Sequence, residues 1–370
     1  MKVLITGVNG FIGKNLEAHL RERSDLEILR FGRDDDSSLL GTLVAQADFI
    51  FHLAGVNRPQ DPAEFKSGNS DLTQMLCDAV AVSGRKPRIV YTSSTQAGCD
   101  NPYGASKLAA EHALTELAEK HSIDLHVFRL PNVFGKWAKP NYNSAVATFC
   151  HNIARGLPIT IHDNNAAITL VYVDDVIRHF VDILDGRATP GGDAQVDPVY
   201  STTVGGVAAL INAFRDSRST LISEAVGTGL TRALYSTYLS YLPPESFTYE
   251  VPKYGDPRGV FVEMLKTPNA GQFSYFTAHP GITRGGHYHH TKTEKFLVIK
   301  GQALFRFRHI MSGEFYELKT TGEQPVVVET VPGWTHDITN VGDDELIVML
   351  WANEIFDREH PDTFALPLSL

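Results

Sequence analysis

Lys2-Val3-Leu4-Ile5-Thr6-Gly7-Val8-Asn9-Gly10-Phe11-Ile12-Gly13 begins as an apolar run and turns abruptly into glycine-spaced sequence. A short apolar run bounded by glycine reads as a buried strand, and Gly13–Arg23 behind it carries helical spacing. Gly7 permits a tight turn, Gly10 lets the backbone approach a pyrophosphate, and Gly13 allows close helix–sheet packing. The amides and dipole of the helix N-terminus then face the phosphates. Strand, G-x-x-G-x-x-G and helix in that order predict a dinucleotide site that includes Gly7, Asn9, Gly10, Phe11, Ile12 and Gly13.

The same reading extends outward. Glu27–Phe31, Phe49–Leu53, Arg88–Thr92 and Leu125–Arg129 read as further strands, and Thr73–Ser83 and Tyr103–His121 as helices. This alternation predicts an α/β fold with a Rossmann-type, doubly wound parallel sheet. The second strand ends in Gly32-Arg33 where an acidic residue would accept the ribose 2′-hydroxyl of NAD. Arginine there suits a 2′-phosphate, so the cofactor expected is NADP(H). Asp34-Asp35-Asp36 is the competing signal, read here as a solvated acidic turn. Leu53-Ala54-Gly55 ends the next strand with small residues where backbone can approach the nicotinamide side.

Tyr103-Gly104-Ala105-Ser106-Lys107 puts a phenol and an ammonium four residues apart, on one helix face. An ammonium nearby favours the phenolate and tunes the hydroxyl for proton transfer. Thr92-Ser93-Ser94 closes the preceding strand and supplies a hydroxyl beside that tyrosine, Ser94 or its neighbour Ser93.

After Leu242-Pro243-Pro244 the pattern changes to short β-rich runs, Phe261–Leu265, Phe273–Ala278, Glu294–Ile299, Ala303–His309, Val326–Thr330 and Glu345–Trp351. Many short strands predict a sandwich or barrel. The expected division is therefore residues 1–243 and 247–370. Within the second part, His287 and His289 share one face if they lie on a strand, with Glu294 on the next strand and His336 later. Three imidazoles and a carboxylate form a borderline-metal site suited to zinc, nickel or iron. A bulge would exchange His290 for His289.

Bulk properties narrow the class. The chain has 370 residues, enough for two domains, and its 43% hydrophobic and 21% charged composition is that of a globular protein. A formal charge of −10 without a basic run argues against a nucleic-acid partner. No apolar stretch reaches the roughly 18 residues of a membrane span. The opening residues turn to glycine too early for a secretory leader. Cys77, Cys99 and Cys150 lack paired spacing and are expected as reduced thiols in the cytoplasm.

Thr6–Gly13, His52–Gly55, Thr92–Ser94, Tyr103–Lys107, Arg129–Gly135 and Val171–Val176 together resemble the extended short-chain dehydrogenase/reductases. The resemblance implies Ser94 as the substrate-orienting hydroxyl and Tyr103 as the acid/base. It implies Lys107 as the group that tunes Tyr103 and holds the nicotinamide ribose. Sugar 4,6-dehydratases of that family carry acidic residues after the catalytic hydroxyl; Thr95-Gln96-Ala97 stands there instead, which favours ketone reduction over elimination. The spacing of His287, His289, Glu294, Gly301, Pro332-Gly333, His336 and Asn340 resembles the cupins and implies His287, His289, Glu294 and His336 as ligands. Asp256–Gly259 and Arg284–Tyr288 also look like metal-free deoxysugar 3-epimerases, which would make His287 a base.

Reductase followed by cupin resembles the bifunctional capsule-sugar enzymes of the CapF/WbjC type. That resemblance implies NADPH, zinc, a homodimer and a UDP-linked 4-keto deoxysugar. It also implies C3 epimerisation before C4 reduction, with His287, His290, Lys292 and Lys295 as candidate bases. The alternative is a C4 reductase whose cupin serves only binding and dimerisation.

Overall fold

A computed structural model describes residues 1–187 and 192–368. The chain forms two compact units, residues 1–211 with 228–243, and residues 212–227 with 244–370.

The first unit carries strands β1 (Lys2–Thr6), β2 (Glu27–Phe31), β3 (Phe49–His52), β4 (Arg88–Ser94), β5 (Leu125–Leu130), β6 (Asn132–Phe134), β7 (Ala167–Tyr172), β8 (Gly192–Ala194) and β9 (Tyr200–Thr203). Its helices are α1 (Phe11–Leu20), α2 (Leu39–Val44), α3 (Ala63–Phe65), α4 (Leu72–Ser83), α5 (Pro102–His121), α6 (Ala145–Ala154), α7 (Val173–Leu184) and α9 (Gly229–Ser240). Helix α8 (Val204–Thr220) begins in this unit and ends in the other. The main sheet runs β2-β1-β3-β4-β5-β8 with every neighbouring pair parallel. Strand order reverses between β1 and β3, and ligands of open α/β sheets bind outside the strand ends at such a reversal.

Alternation along each strand explains the layers. Val3, Ile5, Phe49, Phe51 and Val90 pack with Leu16, Leu20, Val176, Ile177 and Phe180 of α1 and α7. Leu4, Ile50, Ile89 and Tyr91 pack on the other face with Leu76, Val80, Ala110 and Leu114 of α4 and α5. A sheet covered on both sides buries both faces of its strands, and β1 and β3 are buried along nearly their whole length.

The second unit carries β10 (Lys253–Asp256), β11 (Gly259–Thr267), β12 (Gly271–Ala278), β13 (Thr283–Tyr288), β14 (Glu294–Lys300), β15 (Gln302–His309), β16 (Phe315–Thr321), β17 (Val327–Glu329), β18 (Trp334–Asn340), β19 (Leu346–Ala352) and β20 (Phe364–Ala365). They form two antiparallel sheets, β10-β11-β12-β19-β14-β17 and β16-β15-β18-β13-β20, in the manner of a cupin jelly roll. Phe276, Phe296 and Val348 of one sheet meet Phe305, Phe307 and Ile338 of the other in a single apolar cluster.

The units divide differently from the simple cut expected near residue 243. Residues 212–227 go with the second unit because Leu221 and Ser223 exchange backbone hydrogen bonds with Lys266, each 2.8 Å. Arg218 also donates to the Ser246 and Thr248 carbonyls, at 2.5 and 3.1 Å.

Candidate active site and metal centre

The glycine turn sits between β1 and α1. Gly7 has φ +72°, and a Cβ there would lie 2.6 Å from the Ala54 nitrogen, so side chains are excluded twice over. A Cβ on Gly13 would stand 2.3 Å from the Gly7 carbonyl, which is the close packing expected of the third glycine. Gly10 caps α1 without a side chain, leaving the first helical amides directed at the cavity. That cavity, about 1100 Å³, is lined by Gly7, Asn9, Gly10, Phe11, Ile12, Arg33, Leu53, Ala54 and Gly55. Ser94, Tyr103 and Lys107 line it too, whereas Gly13 lies behind the turn.

Sequence chemistry fixes the start of α5. Asn101 accepts the Gly104 amide at 2.8 Å as N-cap, and Pro102 opens the first turn. The structure separates the two serine candidates. Ser93 donates to buried Glu111, which also binds Arg129 at 2.6 Å. Ser94 lines the cavity with Tyr103 and accepts the Gln96 amide at 3.2 Å. Lys107 is 5% exposed and donates to the Thr92 carbonyl at 2.9 Å. Gly55 leaves room for that ammonium, since a Cβ there would lie 3.0 Å from Nζ.

One electrostatic expectation changes sign. Burial pushes the Tyr103 hydroxyl above its ordinary value, opposed only by Ser94. Within the chain itself, the charge of Lys107 does not offset that burial. Burial lowers Lys107 to about 8, with Glu111 pulling the other way.

At the adenosine side, Arg33 is exposed and 3.2 Å from Glu64. Of the acidic turn, Asp35 accepts the Gly32 amide at 2.7 Å and Asp36 accepts that of Ser38 at 2.9 Å. These two carboxylates thus serve their own turn.

In the second unit, ligand atoms of His287, His289, Glu294 and His336 lie within 4.8 Å of one another. His287 on β13 faces His336 on β18 across the pair, and Glu294 opens β14 on the other sheet. The irregularity lies earlier than the sequence allowed for, at Gly285-Gly286, both with positive φ. His289 lies beyond the end of β13, not on it, yet its ring enters the group, 5.0 Å from that of His287. His290 is exposed and packs against Phe364 at 4.9 Å, outside the group. Burial lowers His287 to about 4, and His336 adds to the effect, so its ring is neutral. Burial pushes Glu294 up, but His289, His336 and Lys292 outweigh it and hold the carboxyl well below its usual range. Both ring nitrogens of His336 are buried without a hydrogen bond, Nε2 standing 3.5 Å from Glu294 Oε2. Orphaned imidazole nitrogens are costly, and a bound cation would satisfy one of them, so these four residues fit a divalent metal. Among the four candidate bases, Lys295 pairs with Glu329 at the surface and Lys292 is bonded to Glu294 at 3.0 Å.

Sequence reasoning missed several supporting residues. Buried Asn69 binds both backbone groups of Val56, at 2.8 and 3.0 Å, and donates to Ser106 at 2.9 Å, tying the strand-end loop to α5. Phe65 packs on the Tyr103 ring at 5.7 Å. No motif marks them; each acts through a contact distant in sequence.

Residues 3–196 match the NAD dependent epimerase/dehydratase family, and residues 254–364 match the Polysaccharide biosynthesis C-terminal domain. The chain is 61% identical over 365 residues to a UDP-2-acetamido-2,6-beta-L-arabino-hexul-4-ose reductase of Pseudomonas aeruginosa, covering 99% of this chain and 98% of that one. The crystal structure of the capsular polysaccharide assembling protein CapF from Staphylococcus aureus superimposes with TM-score 0.92 at 42% identity over the whole of both chains. A UDP-glucuronic acid 4-epimerase from Bacillus cereus shares the fold alone, with TM-score 0.56 and 19% identity over 65% of this chain and 99% of that one. Among the described residues, no helix is long and apolar enough to cross a membrane.

Proposed function

The chain belongs to the NAD dependent epimerase/dehydratase family and is a capsular polysaccharide biosynthesis enzyme of the CapF type; from that premise we propose that it reduces a UDP-linked 4-keto deoxysugar with NADPH, after epimerising it at C3. The substrate proposed is UDP-2-acetamido-2,6-dideoxy-β-L-arabino-4-hexulose, and the product is the 6-deoxy-L-talosamine derivative on the route to UDP-N-acetyl-L-fucosamine. The protein would work in the cytoplasm as a homodimer.

One observation carries the reductase: Ser94, Tyr103 and Lys107 converge in a cavity that the glycine turn also lines. Bound there, NADPH would supply the hydride. Ser94 orients the ketone oxygen, and Tyr103 donates the proton that the oxygen needs as C4 becomes tetrahedral. Lys107 holds the ribose. Arg33, at the end of β2, is positioned by sequence to meet a 2′-phosphate.

The epimerase reading is supported by the buried His/Glu cluster of the second unit. A ketone at C4 acidifies C3–H, and a base that removes that proton allows return from the other face. A divalent metal, with zinc the first choice, held by His287, His289, Glu294 and His336, would supply positive charge to the developing enolate oxygen.

Tyr103→Phe tests the assignment in the full chain. NADPH oxidation should vanish while deuterium still enters C3 from D2O without NADPH. Wild-type NADPH turnover by that variant would overturn the catalytic assignment. Absence of deuterium at C3 in the wild type would leave a reductase with a non-catalytic cupin.

A further inference from the structure

The wall of the histidine–glutamate cluster contains a residue that belongs to none of the motifs. Asp362 reaches it from the C-terminal segment. Its carboxylate accepts the amides of His290, Thr291 and Lys292 at 2.9, 2.6 and 2.8 Å, and the Thr291 hydroxyl at 3.0 Å. Its own carbonyl lies 2.5 Å from His289 Nδ1.

These contacts have a chemical direction. A carbonyl oxygen only accepts, so His289 Nδ1 carries a hydrogen, and in the neutral ring that a metal ligand requires the lone pair is then on Nε2. Nε2 is the nitrogen facing Glu294 Oε2, at 3.3 Å. His289 needs such help because it stands past the end of β13; the backbone contact that holds it is its carbonyl accepting from Gly333 at 2.9 Å. The segment behind Asp362 serves the other ligands. Ala365 pairs with His287, the Leu366 amide donates to Gly286 at 2.8 Å, and Thr335, beside His336, donates to the Leu366 carbonyl at 2.5 Å.

We propose that Asp362 is the positioning residue of the metal centre: its carboxylate fixes the 290–292 turn so that its carbonyl keeps His289 in the Nδ1–H tautomer, with Nε2 presented to the metal. Amides donated to a carboxylate are strong hydrogen bonds, and outer partners of this kind set ligand orientation and basicity. The proposal rests on the reading that His287, His289, Glu294 and His336 bind a metal.

The test is a cobalt(II) titration of the full-length protein against a chromophoric chelator, with the visible cobalt spectrum recorded alongside. Asp362→Ala should weaken binding by about 10- to 100-fold and shift the spectrum. Its metal-free form should melt somewhat below metal-free wild type, since four hydrogen bonds are lost, so the cobalt affinity and spectrum of the folded variant carry the test. Asp362→Asn keeps the shape and one acceptor oxygen, should lose less, and carries the test if the alanine variant does not fold. Affinity within twofold of wild type and an unchanged spectrum in the folded variant would overturn the proposal. So would a lowered metal-free melting temperature at unchanged affinity, since that marks a structural role only. Failure of the metal reading looks different: wild type would bind no cobalt, or His336→Ala would bind as wild type does.

Discussion

Two side chains at the reductase site are shifted by burial in opposite directions. Lys107 is lowered to about 8, so its charge fades just above neutrality. If that charge holds the ribose, kcat/KM for NADPH should fall as pH rises through about 8. Stability should move the other way. An unfolded lysine keeps its proton to roughly 10.4. Between those values the unfolded chain binds more protons than the folded one, so stability rises with pH across that window. Initial rates and denaturant melts at matched pH check both signs; parallel trends would contradict the assignment. The adjacent serines should also part company. Ser94→Ala should lower kcat by about 100-fold, the lower end for a group assisting proton transfer. Ser93→Ala removes a hydrogen bond to charged Glu111 and should cost about 1.5–3 kcal/mol of stability while leaving kcat within a few-fold. Kinetics and chemical denaturation of the two variants separate the roles. Sequence spacing made Ser94, Tyr103 and Lys107 legible because their chemistry repeats along one strand end and one helix turn. Glu111 was not legible as the partner of Ser93, since it binds across 18 residues and nothing local requires it.

At the scale of elements, the motif Tyr103-Gly104 is as much about packing as chemistry. A Cβ on Gly104 would lie 2.2 Å from the Gln96 carbonyl and 2.8 Å from that of Cys99. Both are backbone atoms and cannot swing aside. Gly104→Ala should therefore push the first turn of α5 away from the end of β4, costing about 1–3 kcal/mol by overpacking. Because Tyr103 rides on that turn, kcat should drop more than KM changes, as thermal melts and steady-state rates would show. Strands β1 to β5 and helices α4 and α5 were legible to within a few residues, since strand alternation and helical spacing both follow burial. The departures have local causes. His289 leaves its strand early because Gly285-Gly286 spends the ladder on an irregularity. Residues 212–227 leave the first unit because the edge of β11 offers backbone partners that composition does not announce. Asp362, 71 residues from Thr291, is tied to the loop that follows His289 by folding alone.

At the scale of the whole molecule, a reductase unit and a cupin unit in one chain make sense if their chemistries must occur in a fixed order. Acidity sets that order. While C4 is a ketone, the proton on C3 is acidic, because the carbanion left behind delocalises onto the ketone oxygen. Once hydride has reached C4 and Tyr103 has protonated the oxygen, that delocalisation is lost and a base of ordinary strength cannot remove C3–H. On the proposed two-step reading, epimerisation must therefore precede reduction, and reduction would fix whichever C3 configuration has been drawn off. Incubating the 4-keto sugar with the full chain in D2O and NADPH should give a product bearing deuterium at C3. The already reduced product, returned to fresh enzyme in D2O without oxidised cofactor, should take up none over the same period. Proton NMR of the C3 position reads both arms. Deuterium entering the reduced sugar would mean that exchange does not depend on the ketone, and the order deduced from its acidity would fail.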